Sequence, residues 1–190
     1  MSESEDTLDI SDHVDQVREQ WAAVAPGLDT TPMAVAARLG RAAAYLDAGI
    51  NARLADFGLS RASWDVLASL RRAGPPYRLS PTQLYLGLMR TSGAITHRLA
   101  HLERAGLVTR VPDPADGRGL LVELTPAGVA LVDRVAPEHM ANERTLLAPL
   151  GAGEQAELAR LLRTLLHAFE RSQPTPPAVG RGGRRRHRRC

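Results

Sequence analysis

Apolar residues recur at helical intervals in seven stretches of the chain, and clusters of Gly, Pro, Ser and Thr separate them. Val14, Val17, Trp21 and Val24 form the first stripe, which predicts a helix over residues 9–25, ended by Pro26-Gly27. Thr31-Pro32 opens a second helix, Thr31 as cap and Pro32 at the first helical position. Val35, Leu39, Ala42, Leu46 and Ile50 carry it to residue 56, and it is more apolar than a surface helix requires. Ser60 caps a third helix, with Trp64, Leu67 and Leu70 inward, closed by Gly74 and stopped by Pro75-Pro76.

The next two stretches carry the strongest end signals. In Leu79-Ser80-Pro81-Thr82-Gln83-Leu84, Ser80 and Gln83 make a capping box, Pro81 takes the first helical position, and Leu79 can staple to Leu84. That helix is expected to reach about Met89. After a short turn, Ser92 caps a helix that Gly106 ends in the left-handed conformation, letting Leu107 fold back on Leu102. Ile95, Leu99 and Leu102 define its buried side. Thr96, His97, Ala100 and His101 form the opposite face, small, polar and basic, as a helix needs to enter a DNA major groove. Two capped helices in this order are a helix-turn-helix.

A hairpin follows. Residues 107–111 and 120–124 read as strands around the turn-rich tip Pro112-Asp113-Pro114-Ala115-Asp116-Gly117-Arg118. Next to a helix-turn-helix it reads as a wing, whose Arg118 can enter a minor groove; the plainer alternative is a turn with a solvated Arg118. Thr125-Pro126 starts a long helix containing Pro137, where a bend is expected. Residues 154–170 form the last, with Leu158, Leu161, Leu162, Leu165 and Leu166 in a broad stripe that nothing inside the chain is left to cover, so a helical homodimer interface is expected.

The fold class is therefore mainly α with a small β-hairpin wing. One domain is expected over residues 1–171, with the winged helix at 60–124 and dimerisation helices at 31–56 and 126–170. Residues 172–190 are expected to be a disordered Pro- and Arg-rich tail.

Charge changes this picture only locally. The formal net charge of +3 comes from the six Arg of the last ten residues; without them the balance is −3. From Tyr77 to Leu121, six Arg stand against one Glu and two Asp, a basic segment in an acidic body. The 44% apolar content is ordinary for a globular core, and aromatic residues are only 4%, so Leu, Val and Ala must fill it. Cys190 is the one cysteine, which rules out an internal disulfide. With no membrane-length apolar run and no signal peptide, a cytoplasmic location is expected.

The helix order, the Asp116-Gly117-Arg118 tip and the Leu102-Glu103-Arg104-Ala105-Gly106-Leu107-Val108 run resemble the MarR family of bacterial transcription regulators, over roughly residues 31–170. The resemblance implies a homodimer on a pseudo-palindromic operator, released by a small effector. Ser80, Thr82, Ser92, Thr96, His97, His101, Asp116 and Arg118 are then the expected DNA-facing residues. The tip departs from the usual Asp-Arg-Arg, so one charged contact is missing.

The added N-terminal helix resembles the urate-responsive branch, which gathers four residues around its effector. The matching positions are Trp21, Asp65 in Trp64-Asp65-Val66-Leu67, Arg98 and Arg110. The resemblance thus implies a small anionic ligand, urate or a tricarboxylate such as citrate or aconitate, and repression lifted when it binds. Three of them also have a plainer role. Trp21 can dock its helix, Asp65 can favour a helix N-terminus, and Arg98 can pair with Asp65. Arg98 lies about 60° from the Ile95 direction, so it flanks the buried face and needs an anionic partner.

Other function classes find less support. No Gly-rich phosphate loop, nucleophile elbow or paired carboxylates appear, so no enzyme and no cofactor are expected. His97 and His101 have i, i+4 metal-ligand spacing but no obvious third ligand. A winged-helix module without effector control is the nearer alternative.

Overall fold

The computed structural model describes residues 11–88 and 92–172, apart from the side chains of residues 92, 117 and 118. The expected tail from residue 173 onward, and Met89, lie outside the described residues. The chain divides between Leu146 and Leu147 into two compact units. The first holds α1 (His13–Val24), α2 (Thr31–Ala55), α3 (Arg61–Arg72), β1 (Arg78–Leu79), α4 (Pro81–Gly87), α5 (Ser92–Arg104), β2 (Val108–Asp113), β3 (Asp116–Leu124) and α6 (Pro126–Leu146). It is mostly helical around one antiparallel sheet of order β1-β3-β2, a winged helix.

One core joins these elements. Ile50 and Leu54 of α2, Trp64, Leu67 and Leu70 of α3, and Leu84 of α4 are buried with Ile95, Leu99 and Leu102 of α5. Val122 and Leu124 bring β3 into it, and Val132 and Val135 bring α6. In α3 the predicted inward residues Trp64, Leu67 and Leu70 are all buried, and Ser60 caps the helix by accepting the Ser63 N–H. Gly58, Gly74 and Gly106 end their helices with positive φ. Pro137 lies inside α6 without interrupting it.

The structure moves some boundaries. The cap of α1 is Asp12, in a capping box with Asp15, so the helix starts at His13. Thr31 is the first residue of α2 and not its cap; Thr30 holds the cap position, and the Asp29 carboxylate accepts the Thr31 N–H at 2.9 Å. The wing strands are longer than expected. Asp113 Oδ1 accepts the Ala115 N–H at 2.8 Å, which tightens the tip and pairs Asp113 with Asp116. β1 was not legible in the sequence, since two residues are too few to alternate; Arg78 pairs Glu123, and Leu79 pairs Val122.

The second unit contains α7 (Ala152–Ser172). Its start is tied by the Gly151 N–H to Glu154 Oε2 at 2.6 Å, and by Gln155 Nε2 to the Leu147 and Leu150 carbonyls. No residue of α7 is buried.

Candidate functional site

α5 sorts its residues as the sequence pattern requires. Ile95, Leu99 and Leu102 are buried, while Thr96, His97 and His101 are exposed on the other face. Both ends of the surrounding motif are fixed by hydrogen bonds. At its start, Ser80 Oγ accepts the Gln83 N–H at 3.1 Å and Gln83 Oε1 accepts the Ser80 N–H at 2.8 Å. At its end, the Leu107 N–H reaches the Leu102 carbonyl at 3.0 Å. Thr125 then joins α5 to α6: its hydroxyl donates to the Gly106 carbonyl at 2.7 Å and accepts the Gly128 N–H at 3.0 Å.

The other expected DNA-facing residues sit as follows. Ser80 and Thr82 are half-buried at the α4 N-terminus. Ser92 is the first residue of α5, one position later than a cap, and its side chain lies outside the described residues. Asp116 opens β3 and is exposed; Arg118 lies in β3 with its side chain outside the described residues.

Behind α5, a cavity of about 150 Å³ is lined by Ala62, Asp65, Leu88, Ala94, Ile95 and Arg98. It lies well below the roughly 300–1,000 Å³ of drug-sized pockets, so a small ligand suits it. Two of the four expected ligand residues, Asp65 and Arg98, therefore line one cavity. Among the described residues no ion pair joins them. Arg98 Nη1 donates instead to Ser63 Oγ at 3.2 Å, and Ser63 is only 2% exposed.

The other two lie elsewhere within this chain. Trp21 is 42% exposed and borders a separate surface hollow with Gln20 and Val24. Val14 is the buried residue of α1. Arg110, in β2, pairs with Glu103 at the end of α5 at 3.2 Å. It sits opposite Val122 in an edge strand of the sheet.

Sequence reasoning missed three participants. Ser63 looks like any small helical residue until its burial is known. Glu103 belongs to the family-like Leu-Glu-Arg run, and its pairing across to β2 depends on the hairpin register. Arg38 anchors α1 from a distance: Nε meets Asp12 Oδ2 at 2.8 Å and Nη2 meets Asp15 Oδ2 at 2.7 Å. Hydrogen bonding to this guanidinium holds both carboxyls below the usual carboxylate range.

The capped helix pair, exposed basic helix face and β-hairpin define a winged-helix DNA-binding fold. The MarR family model matches residues 57–119. The transcriptional regulator PecS of Dickeya dadantii is 39% identical over 155 residues, 82% of this chain and 91% of that protein. Sco3205 of Streptomyces coelicolor, a MarR family transcriptional regulator solved in complex with DNA, superposes with a TM-score of 0.69 at 28% identity, covering 78% of this chain and 91% of that one. BpsR of Bordetella bronchiseptica, whose DNA binding is regulated by 6-hydroxynicotinic acid, gives 0.63 at 27% identity over 69% and 91%. The chain belongs to the MarR family of transcriptional regulators.

Among the described residues, no helix is long and apolar enough to cross a membrane, and no group of three or more His, Cys, Asp or Glu is placed to hold a metal ion.

Proposed function

We propose that this protein is a homodimeric repressor that leaves a pseudo-palindromic operator when a small anionic effector, urate or a similar flat anion, binds beside α5. The observation that carries the reading is the position of Arg98. It stands on the helix whose far face offers Thr96, His97 and His101, yet it lines a cavity together with Asp65. A ligand taken by the Arg98 guanidinium engages the DNA-reading helix directly, through charge-assisted hydrogen bonds.

BpsR supports the ligand class, since 6-hydroxynicotinic acid is a flat ring bearing an acid. Trp21 would cover the ring and Arg110 would add a second cation, both by rearrangement or from the second copy. Asp65 disfavours an anion beside it, so binding must shift it and thereby move α5. Such coupling requires the ligand to prefer the DNA-free state, by about 1–3 kcal/mol in typical cases.

The test is a titration of urate, citrate and aconitate into the complex with the protein's own upstream promoter DNA. Release by urate, lost in Arg98→Ala and Asp65→Ser while operator affinity is retained, is the expected result. Release that persists at the same urate concentration in both variants would move the effector site elsewhere.

A further inference from the structure

Ser63 is a buried polar residue that the proposed function leaves unexplained. It is the first buried residue of α3, one turn after the Ser60 cap and next to Trp64, Val66 and Leu67 in the core. A hydroxyl buried this deeply costs free energy unless it is hydrogen-bonded. Ser63 Oγ is engaged twice: it accepts from Arg98 Nη1 at 3.2 Å and from the Ser60 hydroxyl at 3.2 Å. The α3 cap does not need it, because the cap bond runs from the Ser63 backbone N–H to Ser60 Oγ. The hydroxyl therefore serves Arg98, and through Arg98 it ties α5 to the start of α3.

We infer that Ser63 is the positioning residue for the effector site: it holds the Arg98 guanidinium in one orientation, so that its remaining N–H groups face the cavity before any ligand arrives. This rests on the anionic-effector reading above. A guanidinium has five N–H donors in a rigid fork, so one can stay on Ser63 while others take an anion. Fixing one donor fixes the plane of the rest. Without the hydroxyl, the side chain must be ordered at the moment of binding, a cost otherwise met during folding.

The experiment uses the full-length protein on its operator, with urate as probe, and compares wild type, Ser63→Ala, Ser63→Thr and Arg98→Ala. Ser63→Ala keeps the backbone cap, and its folding is checked by operator affinity, which should match wild type. The expected result is a urate concentration for half-release about three- to tenfold higher in Ser63→Ala, the scale of re-ordering one long side chain. Ser63→Thr, which keeps a hydroxyl, should return towards wild type. Wild-type release in Ser63→Ala, with release lost in Arg98→Ala, would overturn the positioning role and leave the effector reading intact. Release unaffected in Arg98→Ala, or absent in wild type, would overturn both. Equal weakening in Ser63→Ala and Ser63→Thr would mark a packing effect and also overturn the positioning role.

Discussion

At the residue scale, Gly128 is the described glycine with least room for a side chain. A Cβ built there would lie 2.1 Å from the Leu107 carbonyl oxygen and 3.2 Å from its carbon. Both are backbone atoms, and that same oxygen already accepts the Thr125 N–H at 3.1 Å. Neither partner can give way without opening the junction of wing and α6. Gly49 makes a useful contrast, since the three atoms nearest its Cβ would all belong to the Leu146 side chain, a Cδ closest at 2.7 Å. A leucine end can turn aside. Gly128→Ala should therefore cost about 3 kcal/mol or more, the upper end of overpacking effects, and Gly49→Ala clearly less. Urea denaturation of the two variants measures the difference, and equal midpoints would contradict it. Neither glycine signals its role in the sequence. Gly106 does, because it follows a complete helix pattern and its φ of 69° is what that position demands.

At the element scale, α1 and the wing show two kinds of control. α1 buries Val14 and is otherwise held to α2 by the Arg38 guanidinium on Asp12 and Asp15. Both carboxyls are held below their ordinary value of 3.8, chiefly by the hydrogen bonds from Arg38. A lowered folded value means that the contribution is complete above the unfolded value and fades as pH falls through the folded one. Hydrogen-exchange protection of the α1 amides should thus be lost on acidification below the ordinary carboxylate range, and added salt should weaken it at neutral pH. Arg38→Gln should show low protection at every pH. Protection that is independent of both pH and Arg38 would mean that apolar packing alone holds the helix.

The wing is tested through Arg118. If it neutralises one phosphate, Arg118→Ala should reduce the slope of log affinity against log salt by roughly 0.9. An unchanged slope with unchanged affinity would remove Arg118 from DNA binding. These elements also mark what the sequence could disclose. Helix ends with local signals, such as Ser80-Pro81 and Ala105-Gly106, were readable because a cap needs only its neighbours. Arg38 on Asp12, Arg98 on Ser63 and Arg110 on Glu103 were not, because each depends on how two separate elements lie against one another.

At the scale of the whole molecule, the unresolved energetic problem is the apolar surface of α7. Leu158, Leu161, Leu162, Leu165, Leu166 and Phe169 fall within an arc of about 140° on a helix of 100° per residue. None is buried, and Leu161 and Phe169 are each more than half exposed. A contiguous apolar stripe of this kind marks an interaction surface in a soluble protein. Part of α2 behaves the same way, with Val35 and Tyr45 about two-thirds exposed or more. A second copy of the chain is the expected cover. A two-fold pair would present two α5 helices, which would suit an operator of the same symmetry. The protein should therefore sediment as a dimer at micromolar concentration. Leu161→Glu with Leu165→Glu puts two carboxylates into the stripe. That variant should sediment as a monomer, keep its helical content, and lose operator affinity far more than any single α5 substitution, because each half-site contact then stands alone. A monomeric wild type, or a charged variant that remains a dimer with full affinity, would show that α7 covers its leucines some other way.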